Sequence, residues 1–403
     1  MSTSLLYHAF GIQGYKYVNT KYRGGAVIFT ITHKPDELVC SHCGSRQVAR
    51  RGTVTRRFRV VPIGRKPVWI SLAIQRVFCM SCFLVRQVDP GFADRRRSYT
   101  KAFERYVLEL SRFATIKDIA AHLGVSWGLV KDIQKRNLMM RYQRPKLGHL
   151  KRIAIDEISI GKGHRYLTIV LCLETGAVVF VGDGKGAEAL APFFKRLSRS
   201  RAKVEAVAID MSPAYISAVM ENLPNATLVF DHFHVINLYN DRLSNLRRTL
   251  YHEADILGKK VIKGTRWLLL KNPENLDEER QEPQRLQKAL DLNQPLFTAY
   301  YMKEDLRQIW KQPSKEKAKT FLIDWVWRAG SSGISMLKKM ARTIATHSTG
   351  ILAYYDFPIS TGPLEGTNNK IKTMKRQAYG FRDMEFFKHK IMALHQATYA
   401  LVG

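Results

Sequence analysis

The chain has 403 residues, which allows two to four domains at roughly 100 to 200 residues each. Lys and Arg number 65 against 34 Asp and Glu, and the formal charge of +31 exceeds what solubility requires and points to a polyanionic partner. No apolar run approaches the roughly 18 to 20 residues of a membrane-spanning helix, and the opening MSTSLLYHAFGIQGYK lacks the charged start and apolar stretch of a signal peptide, so no membrane partner and a cytoplasmic location are expected.

Four of the five cysteines fall in two pairs, CSHC at 40–43 and CMSC at 79–82, while Cys172 lies in an apolar strand-like run. In a long intracellular chain this usage argues for metal rather than disulfides. Runs such as RRFRVV and KPVWISLAIQRVFC lie between the pairs, with turn signals at Pro62, Gly64 and Pro67, so short strands are expected. Two thiolate knuckles on a small sheet make a zinc ribbon. One structural Zn²⁺ would take four tetrahedral ligands, Cys40, Cys43, Cys79 and Cys82, in a domain at residues 1–95 that is too small to hold itself together otherwise. The 35 residues between Cys43 and Cys79 exceed the usual gap of roughly 15 to 20 and ask for a longer ribbon. His42, inside the first knuckle, is either a substitute ligand or a solvated knuckle residue.

Residues 115–136, TIKDIAAHLGVSWGLVKDIQKR, carry the next pattern. Ile116, Ile119, Ala120 and Leu123 mark the buried side of one helix, Gly124 a tight turn, and Val130 and Ile133 the buried side of a second helix begun at Ser126. This is a helix-turn-helix, placed in a domain at 96–148, with its second helix suited to a major groove. Ser126, Trp127, Lys131, Lys135 and Arg136 are the candidate DNA contacts on it. The same pattern also occurs in bundles that bind nothing, but residues 41–150 hold 23 Lys and Arg against 6 Asp and Glu, a surplus of 23 − 6 = +17. RRRS at 95–98 and RYQRPKLG at 141–148 read as basic linkers.

From Lys151 the texture changes. RIAIDEISI, RYLTIVLCLE and AVVFVGD are strand-like, GAEALAPFFKRLS is helical, and VEAVAID and ATLVF are strands separated by a helix beginning near Pro213. The order β-β-β-α-β-α-β indicates an α/β (α+β mixed-sheet) domain with the RNase H fold, its first part at 149–239. Strand signals vanish over 240–350, where charged helical stretches hold four of the six tryptophans, Trp267, Trp310, Trp325 and Trp327. A helical insertion with its own small core is expected there. Each Trp reads as core packing, with stacking on extruded bases as the alternative. Residues 351–403 then return to the sheet domain with a closing helix.

Asp156 lies within the first strand of that sheet and Asp210 ends the fourth, positions that are adjacent in this fold although 54 residues apart in sequence. On the closing helix, at 100° per residue, Glu365, Asn368, Asn369, Lys372 and Arg376 fall on one stripe roughly 100° wide, while Ile371 and Met374 point into a core. Glu365 can therefore complete a three-carboxylate site while Asn368, Asn369, Lys372, Lys375, Arg376 and Arg382 hold phosphates beside it. Hard oxygen ligands suit Mg²⁺ or Mn²⁺, and two such ions about 3.5 to 4 Å apart would activate an attacking oxygen and stabilise a leaving one. An Asp at a strand end also serves as a helix cap, and Glu365 could favour its own helix terminus instead. Glu157 should face the other side of its strand from Asp156. In FDHFHVIN at 230–237, His232 and His234 share a face if the strand continues, which would suggest zinc. The alternative is a capping, DNA-contact or bordering role for Asp231, His232 and His234.

Taken together these stretches resemble the DDE transposases of bacterial insertion sequences, specifically the ISL-three family. The resemblance runs through the cysteine ribbon, the helix-turn-helix, IAIDEISIGKGHRYLTIV, VAIDMSPAY, FDHFHVI, RWLLLKNPENL and LEGTNNKIKTMKRQAYGFRD. The sequence reads STGPLEG where relatives often have Asn in place of Thr361. The resemblance implies a catalytic triad of Asp156, Asp210 and Glu365, metal-dependent cleavage and strand transfer, and binding of double-stranded DNA as terminal inverted repeats and as target. It further implies a homodimer in the synaptic complex and a nucleoid-associated bacterial protein. Two other readings keep the same residues. A DNA-binding regulator with an idle RNase H-like domain would bind without Mg²⁺ and cut nothing, and a structure-specific or hybrid nuclease is disfavoured by a helix-turn-helix that reads duplex sequence.

Overall fold

The computed structural model describes residues 5–161, 163, 165–263, 265–291 and 293–396. The chain forms two compact units, Met1–Arg144 with Thr373–Gly403, and Pro145–Lys372.

The first unit opens with helix α1 (Leu5–Phe10) and strands β1 (Tyr15–Arg23) and β2 (Ala26–His33), followed by β3 (Val48–Ile63), β4 (Lys66–Cys79) and β5 (Val85–Gln87). These form one sheet of order β1-β2-β4-β3, with β5 paired to β4. The strands between the cysteine pairs are long rather than short: β3 and β4 make a hairpin of 16 and 14 residues, turned at Gly64 between Pro62 and Pro67. Alternation in β4 sets Val68, Ile70, Leu72 and Ile74 on one face, all buried against Phe58 and Val60 of β3 and Phe29 of β2. The 35-residue gap between the knuckles is thus a ribbon long enough to build a core of its own.

Three helices follow, α2 (Lys101–Leu110), α3 (Ile116–Leu123) and α4 (Trp127–Tyr142). Thr115 caps α3 by accepting from the Asp118 N–H at 3.1 Å, and Ser126 caps α4 by accepting from Leu129 at 3.3 Å. Between them Gly124 takes φ 61°, the left-handed turn that glycine adopts without a Cβ penalty. Ile119, Leu123, Val130 and Ile133 bury against Phe103 and Val107 of α2, so the expected helix-turn-helix is present with a third helix beneath it. The RRRS stretch is not a free linker. The Ser98 carbonyl accepts from the Arg59 N–H at 2.8 Å, and Arg97 pairs with Asp132 at 3.2 Å. Arg59 itself is 4% exposed and donates to the Leu123 carbonyl at 2.7 Å, capping the C-terminal end of α3.

In the second unit β6 (Arg152–Gly161), β7 (Arg165–Cys172), β8 (Val178–Asp183), α5 (Ala187–Leu197), β9 (Ala206–Ile209), α6 (Pro213–Asn222) and β10 (Thr227–Phe230) follow the expected order. The sheet runs β10-β9-β6-β7-β8, with β6 antiparallel to β7 and parallel to β9. Gly182 of β8 lies where an added Cβ would stand 2.4 Å from the Ala189 carbonyl oxygen, so a side chain there would push α5 off the sheet.

Helices α7 (His232–Glu253), α8 (Ile256–Lys263), α9 (Arg266–Leu270), α10 (Glu282–Asp291), α11 (Gln294–Arg307), α12 (Lys315–Ser331), α13 (Ser335–Thr346) and α14 (Ser348–Leu352) make up the insertion, and α15 (Gly362–Gln377) and α16 (Met384–Met392) close the chain. Residues 351–403 do not all return to the sheet domain as expected, since Thr373–Gly403, with α16, belongs to the first unit, where Asp383 at the start of α16 pairs with Lys131 and Lys135 of α4. The insertion does not have a separate core. Tyr239, Leu243, Trp325, Met340 and Ile344 belong to the same apolar cluster as Ile153, Val170 and Ile209 of the sheet. The reason is α7, which begins directly after β10, crosses residue 240, and carries Val235, Tyr239 and Leu243 as one buried line. Buried polar ends are satisfied within this core: the Tyr239 hydroxyl donates to the Ala299 carbonyl at 2.6 Å and the Trp325 indole to Met302 at 2.8 Å. Trp325 is a core residue as expected, but Trp267 and Trp327 are 65% and 69% exposed. Among the described residues no helix is long and apolar enough to cross a membrane.

Candidate active site and zinc centre

The two cysteine pairs meet at the end of the long hairpin. Cys79 is the last residue of β4, and Val48 at the start of β3 pairs with it, which brings the first knuckle alongside the second. Cys40 and Cys82 sulfurs lie 3.7 Å apart and Cys43 and Cys79 sulfurs 3.4 Å apart. Four ligands at ~2.3 Å from a tetrahedral Zn²⁺ are separated by about 3.8 Å, whereas a disulfide needs about 2.05 Å, so the cluster fits zinc and not cystine. Each knuckle turns its backbone N–H groups toward its first sulfur: Cys43 and His42 donate toward Cys40, and Cys82 and Ser81 toward Cys79. These bonds hold Cys40 below the usual thiol range and bring Cys79 down to about 6, whereas the crowding of the sulfurs raises Cys43, and burial with its sulfur neighbours pushes Cys82 up to about 12, so that without a cation the four thiols do not ionise together. The second knuckle puts Phe83 at φ 56° where the first has Gly44 at φ 75°. Among the described residues, only these four cysteines form a set of three or more Cys, His, Asp or Glu side chains with ligand atoms all within 4.8 Å of one another; His42 is not part of it.

The acids lie in the second unit. Asp156 is in β6, and Asp210 follows the last residue of β9, the parallel neighbour of β6. Asp210 accepts from the Ser212 N–H at 3.0 Å, the tight turn that opens α6. Asp156 Oδ1 accepts from the Glu157 N–H at 2.8 Å, and its Oδ2 accepts from the Asn368 amide at 2.9 Å. Burial raises the Asp156 carboxyl above its usual range, with Asp210 and Glu157 adding to the rise, while the Glu157 N–H and His234 oppose it. Glu365 is exposed on the first turn of α15, its N–H bonded to the Thr361 carbonyl at 2.9 Å. Asn368 is one turn further along, 6% exposed rather than solvent-facing. The oxygens of the three acids do not all come within 4.8 Å of one another.

Glu157 faces away from Asp156, as alternation requires. It accepts from the Tyr215 hydroxyl at 3.0 Å, and that hydroxyl also meets Thr168 at 3.1 Å and accepts from the Gly186 N–H at 3.3 Å. The strand before His232 does not continue. β10 stops at Phe230, Asp231 becomes the N-cap of α7 by accepting from the Phe233 N–H at 3.4 Å, and both histidines lie in the first helical turn, which removes the shared strand face. Asp231 is 2% exposed, accepts from the Thr361 hydroxyl, and lies 3.1 Å from His232 Nδ1. Burial works to raise the Asp231 carboxyl, but these two partners outweigh it and hold it low, and Asp231 in turn raises His232.

The remaining candidate contacts divide by exposure. Ser126 spends its hydroxyl on capping, and Trp127 is 63% exposed. Lys131 and Lys135 both pair with Asp383, the cap of α16, and Lys135 also with Glu385 at 2.7 Å. Arg136 pairs with Glu104 and Asp132 and donates to the Tyr99 hydroxyl. Asn369, Lys372, Arg376 and Arg382 are exposed and Lys375 is half-buried. Sequence reasoning missed Tyr215, Thr361 as a hydrogen-bond donor, and the inward turn of Asn368. A signal for the last was present, since Asn368 is four residues after Leu364 and three before Ile371, both fully buried.

Three family profiles cover the chain: a zinc-finger of transposase IS204/IS1001/IS1096/IS1165 at residues 36–82, the helix-turn-helix domain of transposase family ISL3 at 88–136, and an ISL3 DDE transposase domain at 153–391. The chain is 33% identical over 362 residues to the transposase for insertion sequence element IS1001 of Bordetella parapertussis, covering 88% of each protein. It is 28% identical over 369 residues to the transposase for IS1557 of Mycobacterium tuberculosis, covering 85% of this chain and 82% of that one. A solved Drosophila P element transposase strand transfer complex aligns over 74% of this chain and 92% of its own, with 10% identity and a TM-score of 0.41. The matching profiles and the IS1001 relative together establish that the chain belongs to the ISL3 family of DDE transposases.

Proposed function

We propose that Asp156, Asp210 and Glu365 are the catalytic triad of this transposase and that they hold two Mg²⁺ or Mn²⁺ ions. What carries the reading is the arrangement of the acids: one is in β6, the second directly follows the parallel neighbour β9, and the third is on a helix hydrogen-bonded to the first of them through Asn368. The donor set is all hard oxygen, and Asn368 Oδ1 is a further buried oxygen without a partner beside Asp156, so the residues fit the ions. Two ions ~3.5 to 4 Å apart with ligands at ~2.1 Å accept donors spread over as much as about 8 Å, which suits acids that do not converge on one point. When bound, such ions activate the attacking oxygen and stabilise the leaving one.

In the proposed reaction, water attacks phosphorus at a transposon end and the P–O3′ bond breaks, leaving a 3′-hydroxyl and a 5′-phosphate. The 3′-hydroxyl then attacks a target phosphodiester, forming one P–O bond as it breaks another. No covalent protein–DNA intermediate is involved. The ribbon and α4 bind the terminal inverted repeats through Ser126, Trp127, Lys131, Lys135 and Arg136, while Asn369, Lys372, Lys375, Arg376 and Arg382 engage phosphates. A homodimer would bring two ends together in the bacterial cytoplasm, at the nucleoid.

The test is Mg²⁺-dependent nicking and joining of a labelled duplex carrying the element's own terminal repeat, comparing wild type with Asp210→Asn. Cleavage lost in the variant with repeat binding retained is the expected result. Equal cleavage by both proteins would remove the acids from the chemistry.

A further inference from the structure

Helix α15 is tied down on both sides of Glu365. Four residues before it, the Thr361 hydroxyl donates to Asp231, which is buried at the end of β10. Three residues after it, the Asn368 amide donates to Asp156 Oδ2 at 2.9 Å. Glu365 makes its nearest backbone attachment to Thr361, so its place depends on these two anchors. They are buried, at 2% and 6% exposure, and they bond to carboxylates, the stronger class of hydrogen bond.

Asn368 has a second property. Its Oδ1 is buried with no hydrogen-bond partner, a costly arrangement for an amide whose other end is already engaged. A polar atom left open beside an acid is poorly explained as packing, because Leu at this position would extend the line of Leu364 and Ile371.

Building on the triad reading, we propose that Asn368 is a positioning residue of the catalytic centre rather than a DNA contact: it sets helix α15, and with it Glu365, against Asp156, and leaves its carbonyl oxygen available to the divalent ions. Thr361 is the second point of the same clamp. Loss of either anchor lets the first turns of α15 shift, which weakens ion binding while leaving the DNA-reading front half untouched.

The experiment compares wild type, Asn368→Ala, Asn368→Ser and Thr361→Val in three measurements: Mn²⁺ binding by titration calorimetry, the Mn²⁺ concentration for half-maximal cleavage, and repeat binding without metal. For Asn368→Ala, Mn²⁺ affinity is expected to fall on the order of tenfold, as for other residues that orient metal ligands, and half-saturation to rise in step. Asn368→Ser, which keeps a donor, should recover part of the loss; Thr361→Val should move in the same direction as Asn368→Ala; repeat binding should stay within about twofold in all. Should Asn368→Ala fail to fold, the serine and Thr361 variants carry the comparison. Wild-type Mn²⁺ affinity in the variants, or a loss confined to DNA binding, would overturn the proposal. If that happened while Asp156→Asn abolished both ion binding and cleavage, the triad would stand and only the role of Asn368 would fall. If Asp156→Asn also bound and cleaved normally, the triad reading itself would fall.

Discussion

Asp383 sits 3.0 Å from Lys131 Nζ and 3.1 Å from Lys135 Nζ, so one carboxylate oxygen pairs with two of the lysines that α4 would offer to DNA. Replacing it by Asn keeps the cap of α16, since Asn is as good an N-cap as Asp, and removes only the charge. Lys135 retains Glu385 at 2.7 Å, while Lys131 loses its ion pair. These side chains are 23% to 29% exposed, which puts the stability cost between surface and buried pairs, about 1 to 2 kcal/mol. The gain is one lysine free for a phosphate. Each added phosphate contact steepens the salt dependence of binding by about 0.9 in log–log slope, so the affinity ratio of variant to wild type should change by about 8-fold per decade of salt. Fluorescence anisotropy with a repeat duplex from 50 to 500 mM salt measures it. A ratio that stays flat across the series would mean that Lys131 does not face the duplex. The same pair has an acid limb. Burial works to raise Asp383, yet the Phe386 N–H and the two lysines hold it far below the ordinary carboxylate value. A depressed folded-state pKa stabilises above the unfolded value and is lost as pH falls, so the stability difference between wild type and Asp383→Asn should shrink below about pH 4.

Three further outcomes follow from the geometry. Cys79→Ser, or zinc removal by a strong chelator, should unfold the two knuckles and lower the melting temperature of the front unit; native mass spectrometry should find one zinc per chain in the wild type and none in the variant. Tyr215→Phe removes the hydroxyl shared by Glu157, Thr168 and Gly186 and should cost about 1 to 3 kcal/mol in urea denaturation, with a loss under half of the lower figure showing that the network is dispensable. Gly350→Ala places a Cβ 2.4 Å from the Phe230 ring in the core and should cost about 1 to 3 kcal/mol, while the exposed Gly366→Ala should be neutral or stabilising.

What the sequence disclosed was local. The CxxC pairs, the Gly124 turn between two apolar half-turns, and the strand order leading to Asp156 and Asp210 all rest on spacings within a few residues, and the fold contains each of them. What stayed hidden depends on partners far along the chain. Lys131 and Lys135 look like free cations until Asp383, 248 residues beyond Lys135, folds against them. Asn368 looks like a surface amide until Asp156, 212 residues earlier, accepts a hydrogen bond from it. The histidines at 232 and 234 were ambiguous for a different reason: where β10 ends is decided by Asp231 turning inward to Thr361, a tertiary bond that periodicity does not encode. The insertion's supposed separate core failed likewise, because α7 carries its buried line across the boundary that composition suggested.

The clamp on α15 also has a consequence in time. The ribosome delivers Asp156 long before Glu365, which is 365 − 156 = 209 residues later; at roughly 5 to 20 residues per second that is about 10 to 40 s. Over that interval the cysteine ribbon and the three-helix module are already made, each with its own core. On the proposed triad, a nascent chain therefore acquires its basic front half first and its last catalytic acid much later, and Lys131 and Lys135 lack their Asp383 partner until that residue emerges. On the same proposal, a chain released before residue 365 would bind DNA without cutting it and compete with the full-length protein for its sites.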